Sequence, residues 1–196
     1  GEIVSLYAGR HYKKAGFNRA YRAVHQPASA FKPILVYGPF LESGRYSADS
    51  PVDSRNICIG NYCPRNIGGA TYGTTSLSSA FRYSHNTAAV RALRSVGLNE
   101  AFEYLEQFDF KHITPEDRNF AAALGGLQYG VTPLELASAY SSFYDGSYTS
   151  PHTIRSIQTL EGEVLYEAPF QPKTVWSTRT AQTMKQLLQD TVRNGT

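Results

Sequence analysis

The sequence predicts an α+β fold in which helices outnumber strands. Three observations lead there. Apolar residues recur at helical spacing in several stretches between Ala28 and Asn194. Residues 154–160 and 163–168 alternate in polarity around Glu161-Gly162, as a β-hairpin does. Residues 2–8, rich in β-branched and aromatic side chains and stopped by Gly9-Arg10, have the composition of a strand. The order is one strand, a mostly helical middle, one hairpin and a closing helix. No internal repeat or low-complexity segment interrupts it, and 196 residues suit one domain or a large part of one.

Residues 13–23 are polar and predict a loop or edge. A helix entered near Ala28 runs through Ile34, Leu35, Val36 and Phe40 to Ser43-Gly44, with Pro39 placed to kink it or end it early. Residues 45–72 are rich in Gly, Pro, Asn and Ser, and so long a connection usually borders a site. A short helix over 75–83 turns Leu77, Ala80 and Phe81 to one side, and a second covers 87–96 and stops at Gly97. A third, over 99–108, has Asn99 as its N-cap and Phe102, Leu105 and Phe108 in register for core packing. Ala121-Ala122-Ala123-Leu124-Gly125-Gly126 lets backbones approach closely. Thr132-Pro133-Leu134-Glu135 is a capping-box pattern with proline at the first helical position, opening a helix to about Tyr144. The last helix, capped by Ser177, turns Ala181, Met184, Leu187, Leu188 and Val192 inward and ends at Asn194-Gly195-Thr196.

Composition removes several classes of function. Hydrophobic residues make up 41%, enough for a core; charged residues make up 18%, the net charge is +3, and the basic residues are scattered rather than gathered in the stripe of a nucleic-acid binder. No run has the length of a membrane span, and the first residues lack the basic start and apolar centre of a signal peptide, so any anchor or export signal is expected outside these residues. Cys58 and Cys63 flank Ile59-Gly60-Asn61-Tyr62, and a two-residue Gly-Asn turn sets them opposite each other at a non-hydrogen-bonded site, where a disulfide fits. Two reduced thiols are the alternative; a zinc site needs more ligands than this stretch holds.

The chemistry concentrates in Gln26-Pro27-Ala28-Ser29-Ala30-Phe31-Lys32-Pro33. Both prolines are tolerable only before a helix or in its opening turn, so Ser29 and Lys32 stand three apart on one helix face. A serine hydroxyl needs a base to act as a nucleophile, and a lysine serves when burial lowers its pKa. Alone, this spacing is common on solvated helices. Ser84-His85-Asn86 follows some fifty residues later. Within it His85 is expected to pack rather than react, because its neighbours point to a different face. His11, His25, His112 and His152 are isolated in sequence and expected to be solvated or packed.

Ser-x-x-Lys followed by Ser84-His85-Asn86 resembles the Ser-x-x-Lys and Ser-Asp-Asn elements that, with Lys-Thr-Gly, mark penicillin-binding proteins and serine β-lactamases, with His85 where the β-lactamases have aspartate. The flanks extend the likeness: Phe17-Asn18-Arg19-Ala20, Tyr72-Gly73, Asn86-Thr87-Ala88-Ala89-Val90, Leu124-Gly125-Gly126, and Val131 through Tyr140. Together they resemble the class A, bifunctional branch of the penicillin-binding transpeptidases over nearly the whole chain. The resemblance implies an antiparallel sheet flanked by helices, with residues 1–196 forming the N-terminal part of one transpeptidase domain and most sheet strands outside it. It implies Ser29 as the acylated nucleophile, Lys32 as its base, Ser84 as proton relay to the leaving amine, Asn86 as a holder of a substrate amide, and neither metal nor cofactor. The partners implied are a peptidoglycan stem peptide and β-lactam antibiotics, in an extracytoplasmic, membrane-anchored setting.

Three readings follow from the resemblance: a D,D-transpeptidase, a penicillin-binding sensor acylated without turnover, or a β-lactamase. The last needs a deacylating base. Glu116-Asp117-Arg118-Asn119 is one residue short of the β-lactamase Glu-x-x-x-Asn spacing and is expected to be a charged loop. Lys-Thr-Gly does not occur in the sequence, and residues 2–8, as a strand, would have two unpaired edges. A second polypeptide segment carrying Lys-Thr-Gly is therefore expected to complete the sheet and the site. For the cysteines, intact-mass analysis of unreduced, alkylated protein should show neither residue modified, and closing so short a loop should contribute about 2–3 kcal/mol.

Overall fold

The computed structural model describes residues 1–11, 13 and 16–195. Its first segment departs from expectation. Residues 2–8 form no strand: Glu2 meets His152 at a single parallel bridge, with the Ile3 N–H donating to the His152 carbonyl at 2.8 Å, and Val4 and Tyr7 stand in solvent. β-Propensity expresses fit to a pleated, half-buried surface, and one bridge offers no such surface. The segment thus has no strand edges, and the requirement for a second polypeptide drawn from them falls away. Lys14 and Ala15 of the polar stretch lie outside the described residues. In the rest of it a helical turn, α1 (Arg19–Arg22), replaces the expected loop, because Asn18 caps it by accepting the Ala20 N–H at 2.9 Å.

Pro33 and Pro39 shape the next element. Each removes a backbone donor, and the chain meets both by changing helix type: a 3₁₀ turn (Ala28–Phe31), a π-helical stretch (Pro33–Tyr37) whose i−5 pairing sends the Gly38 N–H to the Pro33 carbonyl, then α2 (Gly38–Glu42) with Pro39 in its opening turn. The run continues to Glu42 instead of breaking at Pro39. Every residue from Phe31 to Leu41 is buried.

Residues 45–72 hold β1 (Pro51–Asp53), which pairs antiparallel with β2 (Thr74–Ser76) in the register Val52 opposite Thr75. Between them Ile59 and Tyr62 exchange hydrogen bonds of 2.9 and 3.1 Å about Gly60-Asn61, and Cys58 and Cys63 are disulfide-bonded across that hairpin with a Cα separation of 4.2 Å. Helices α3 (Leu77–Arg82), α4 (Asn86–Val96) and α5 (Leu98–Leu105) follow. The N-cap of α5 is Gly97 rather than Asn99, since Gly97 takes φ 99°, a conformation that lets α4 end and α5 begin without a linker. Two 3₁₀ turns (Pro115–Asp117 and Phe120–Leu124) lead to α6 (Pro133–Ser141), which has the expected capping box, with the Thr132 N–H donating to Glu135 Oε2 at 2.7 Å, and ends three residues before Tyr144.

The remaining strands are short. β3 (Ser147–Tyr148) pairs antiparallel with β6 (Lys173–Thr174), and β4 (Ser156–Gln158) with β5 (Val164–Glu167), the expected hairpin, which is exposed on both faces. Helix α7 (Thr178–Asn194) has Ser177 as its cap and buries Ala181, Met184 and Leu187. Val192 is 88% exposed, because by the last turn the inward face has moved on to Leu188 and Thr191. Thr196, the end expected of this helix, lies outside the described residues. The architecture is α+β with small antiparallel pairs and few strands.

The core has two supports. Helix α4, with its Ala88, Ala89 and Ala92, packs against the Pro33–Tyr37 stretch and the alanine-rich turn Phe120–Leu124, so the small residues serve close approach as their composition implied. Trp176, 1% exposed, stacks on Tyr104 and Phe143 at 5.0 and 5.5 Å, and its indole N–H donates to Ser142 Oγ at 2.8 Å. Its ring also covers Gly38, where an added Cβ would lie 2.7 Å from Trp176 Cη2. Gly38 has ordinary helical φ, so only space excludes a side chain. Gly38→Ala should therefore cost about 1–3 kcal/mol by overpacking and lower Tm by several degrees in a thermal melt.

Candidate active site

The turn that bears Ser29 is held from outside by a segment a hundred residues away. His25 and Val131 form an antiparallel bridge, with hydrogen bonds of 3.0 and 2.9 Å. The Gln26 amide clamps the backbone of one residue, accepting the Leu127 N–H at 2.7 Å and donating to the Leu127 carbonyl. Ala28 is then driven to φ 48°, a left-handed conformation that an alanine rarely adopts, immediately before the serine. Gly125 lies against it so closely that a Cβ there would fall 2.2 Å from the Ala28 carbonyl oxygen. Tyr140, from α6, donates its hydroxyl hydrogen to the Ala30 carbonyl at 2.7 Å. Gln26, Gly125 and Tyr140 occur in the motifs that carry the family resemblance, but their jobs become visible only in three dimensions.

Lys32 is 2% exposed. Its ammonium donates to the Ser84 carbonyl at 2.8 Å, to Ser84 Oγ at 2.9 Å and to Asn86 Oδ1 at 2.7 Å. Ser29, Lys32 and Ser84, with Tyr37, Tyr140 and Leu188, line one cavity of about 200 Å³. The two motifs, some fifty residues apart in sequence, thus meet. The three lysine bonds go to the second motif rather than to Ser29. Burial pushes the Lys32 amine down to about 7, which places a neutral, proton-accepting form within the physiological range.

Ser84 adopts φ 53°, a second left-handed non-glycine residue, and this turns both its carbonyl and its hydroxyl toward Lys32. Asn86, the first residue of α4, has both ends of its amide engaged: Oδ1 accepts from Lys32, and Nδ2 donates to the Arg65 carbonyl at 2.8 Å. Each end keeps capacity for one more bond. His85 between them points away, its Nδ1 2.9 Å from Ser54 Oγ and its ring stacked on Tyr72 at 4.0 Å. Burial, then the nearby Lys32 charge, holds the imidazole below its ordinary pKa.

In the Glu116–Asn119 loop, Asp117 is buried and accepts from the Thr114 N–H at 2.8 Å and the Gln128 N–H at 2.6 Å, which is a capping role. Glu116 is exposed. A larger cavity, about 880 Å³, lies between the N-terminal segment and the start of α6, lined by Leu6, Tyr21, Phe110 and Tyr148 among others. It is larger than the cavity at Ser29, but its hydroxyl–carboxylate pairs are structural, Thr132 with Glu135 in the capping box of α6 and Tyr148 with Asp109, so chemistry rather than volume selects the site. No helix among the described residues is long and apolar enough to cross a membrane.

The family model of the penicillin binding protein transpeptidase domain matches residues 1–196. The chain belongs to this family. Penicillin-binding protein 4 of Bacillus subtilis is 41% identical over 196 residues, covering all of this chain and 31% of that protein. Penicillin-binding protein 1F of the same organism is 36% identical over 197 residues, covering all of this chain and 27% of that protein. Among solved structures, penicillin-binding protein 1A from Haemophilus influenzae superposes with a TM-score of 0.78 at 25% identity, over 96% of this chain and 33% of that one. The chain thus spans about a third or less of the length of these relatives. Further relatives named penicillin-binding protein 1A and 1A/1B accord with the class A branch expected from the flanking motifs of this penicillin-binding transpeptidase domain.

A lysine with a depressed pKa makes stability depend on pH in a defined direction. Below about 7 both the folded and unfolded chains hold the Lys32 proton, and the burial penalty is constant. Between that value and the unfolded lysine's pKa of about 10.4, the unfolded chain binds more protons, so stability rises with pH. Melting temperatures of wild type and Lys32→Met should therefore differ by a constant below pH 6.5, with wild type gaining on the variant as pH climbs toward 10.

Proposed function

We propose that this chain is the acylating part of an extracytoplasmic D,D-transpeptidase that cross-links peptidoglycan stem peptides and is covalently inhibited by β-lactams. The observation that carries the reading is a solvent-excluded lysine one helical turn after Ser29, bonded to the serine and the asparagine of the second motif. The neutral Lys32 amine takes the Ser29 proton as Oγ attacks the carbonyl of the D-alanyl-D-alanine amide. The new C–O bond and the negative oxygen form together. The Ser29 N–H, at the opening of a helical run where donors have no helical acceptor, faces that oxygen as one oxyanion donor.

Collapse breaks the C–N bond, and the departing D-alanine amine takes the Ser84 hydroxyl proton, which Lys32 replaces. Ser84 Oγ already accepts a bond from Lys32, so its own hydrogen is left to the leaving group. An acceptor amine from a second stem peptide then attacks the ester, and the proton path runs in reverse. Asn86 braces Lys32 and uses its remaining bonding capacity for the substrate amide. A Lys-Thr-Gly segment from outside these residues supplies the substrate carboxylate site and the second oxyanion donor. The disulfide fits an oxidising, extracytoplasmic setting, and anchoring to the membrane falls to a part of the protein beyond this domain.

The test is labelling of the full-length protein with a fluorescent penicillin. Wild type should label at one residue and Ser29→Ala not at all; persistent labelling in Ser29→Ala overturns the mechanism. Lys32→Ala should acylate far more slowly, and Lys32→Arg should give no rescue, since a guanidinium does not deprotonate. Acylation rate should rise about tenfold per pH unit up to about 7 and level off above it, following the neutral amine. Acylation without transfer to any acceptor amine would assign the sensor reading instead.

A further inference from the structure

Helix α4 has no cap of its own. His85 occupies the N-cap position, makes no side-chain capping bond, and turns its ring nitrogen to Ser54. The missing acceptor comes from the loop: Asn66, twenty residues upstream and 5% exposed, directs Oδ1 at the first two amides of the helix, accepting from the Asn86 N–H at 2.8 Å and the Thr87 N–H at 3.2 Å. Its own amide nitrogen donates to the Ala70 carbonyl at 3.1 Å and to Thr87 Oγ1 at 3.2 Å, which determines which end of the side chain faces the helix. Thr87 in turn donates to the Ser54 carbonyl at 2.8 Å. A buried polar cluster of Ser54, Asn66, His85 and Thr87 therefore lies directly behind the Ser84-His85-Asn86 segment.

The residue before Asn66 completes the link. The Arg65 carbonyl accepts from Asn86 Nδ2, and this bond orients the Asn86 amide so that Oδ1, not the amide nitrogen, faces the Lys32 ammonium. The reverse orientation would set donor against donor. Arg65 is two residues from Cys63, so the disulfide-closed hairpin is one anchor of this loop. The other is Arg91 of α4, which donates to the Asn56 carbonyl at 3.1 Å.

We propose that Asn66 is a positioning residue for acylation: by capping α4 from the loop it holds Asn86, and through Asn86 the attitude of Lys32 toward Ser29. The inference rests on the transpeptidase reading above. It separates from a purely structural role, in which losing Asn66 lowers the folded fraction but leaves each folded molecule as fast as wild type.

The experiment measures second-order acylation by a fluorescent penicillin in the full-length protein. It compares wild type, Asn66→Ala, Asn66→Asp and Leu105→Ala, a buried α5 residue serving as the stability control, with rates normalised to molecules that label at saturation. Rates are taken on the high-pH plateau, where Lys32 is neutral in every variant. Asn66→Ala should be slower by between about tenfold and a hundredfold, the scale of an ångström misplacement of a reacting group. Asn66→Asp keeps the acceptor oxygen toward the Asn86 and Thr87 N–H groups but sets its second oxygen against the Ala70 carbonyl, so it should be faster than Asn66→Ala by at least about threefold without reaching wild type. Leu105→Ala should melt lower yet label at the wild-type rate. Asn66→Ala at the wild-type rate, or a folded Asn66→Asp as slow as Asn66→Ala, overturns the inference while leaving Ser29 chemistry intact. If Asn66→Ala does not fold, Asn66→Ser, whose shorter side chain falls short of the Asn86 N–H, decides in its place: a loss of about tenfold supports the inference and wild-type speed rejects it. Absence of labelling in wild type rejects the transpeptidase reading, and the inference with it.

Discussion

A lysine ammonium held out of water by three oxygens is the interaction around which this domain is built. Burying such a charge is costly, and it is tolerable only where the proton can leave readily and where each N–H finds an acceptor. Both conditions hold at Lys32, whose acceptors all come from the Ser84–Asn86 segment. The need to supply them explains otherwise costly local choices: a left-handed Ser84, a helix α4 that starts with a side chain turned sideways into the site, and a cap borrowed from a distant loop.

The Ser29 side of the site is built on the same plan, with strain at one residue offset by contacts around it. Ala28 in a left-handed conformation persists because the Gln26 amide, the His25–Val131 bridge and Gly125 over-determine the backbone on either side. The proline-bounded run beyond Lys32 is buried along its length and backed by Trp176 on Gly38, so the lysine rises from a rigid floor. Rigidity there matters to the proposed reaction, in which a general base must be held within hydrogen-bond reach of its partner.

Much of this was legible in sequence. Helix positions followed apolar spacing, the capping box of α6 and the Ser177 cap of α7 were readable as local signals, and the Gly-Asn turn set the cysteine register. The misses share a cause. Residues 2–8 had strand composition without a partner surface, Val192 had helical spacing but sat past the point where α7 leaves the core, and Gly97 rather than Asn99 opened α5 because two helices abut there. Propensity and periodicity describe what a segment can bury; they do not say what lies against it.

The sequence by itself determined the α+β class, most of the helix faces, the family, and the pair of motifs whose residue types suit an activated serine, because those properties depend on residue identity and on spacing along the chain. Only the tertiary structure decided that Lys32 is excluded from water, that its bonds run to Ser84 and Asn86, and that Gln26, Gly125, Tyr140 and Asn66 hold the two motifs in place. Those facts rest on contacts between segments twenty to more than a hundred residues apart, and the cost of burying a charge is set by what surrounds it in space, a quantity with no local signature in the chain.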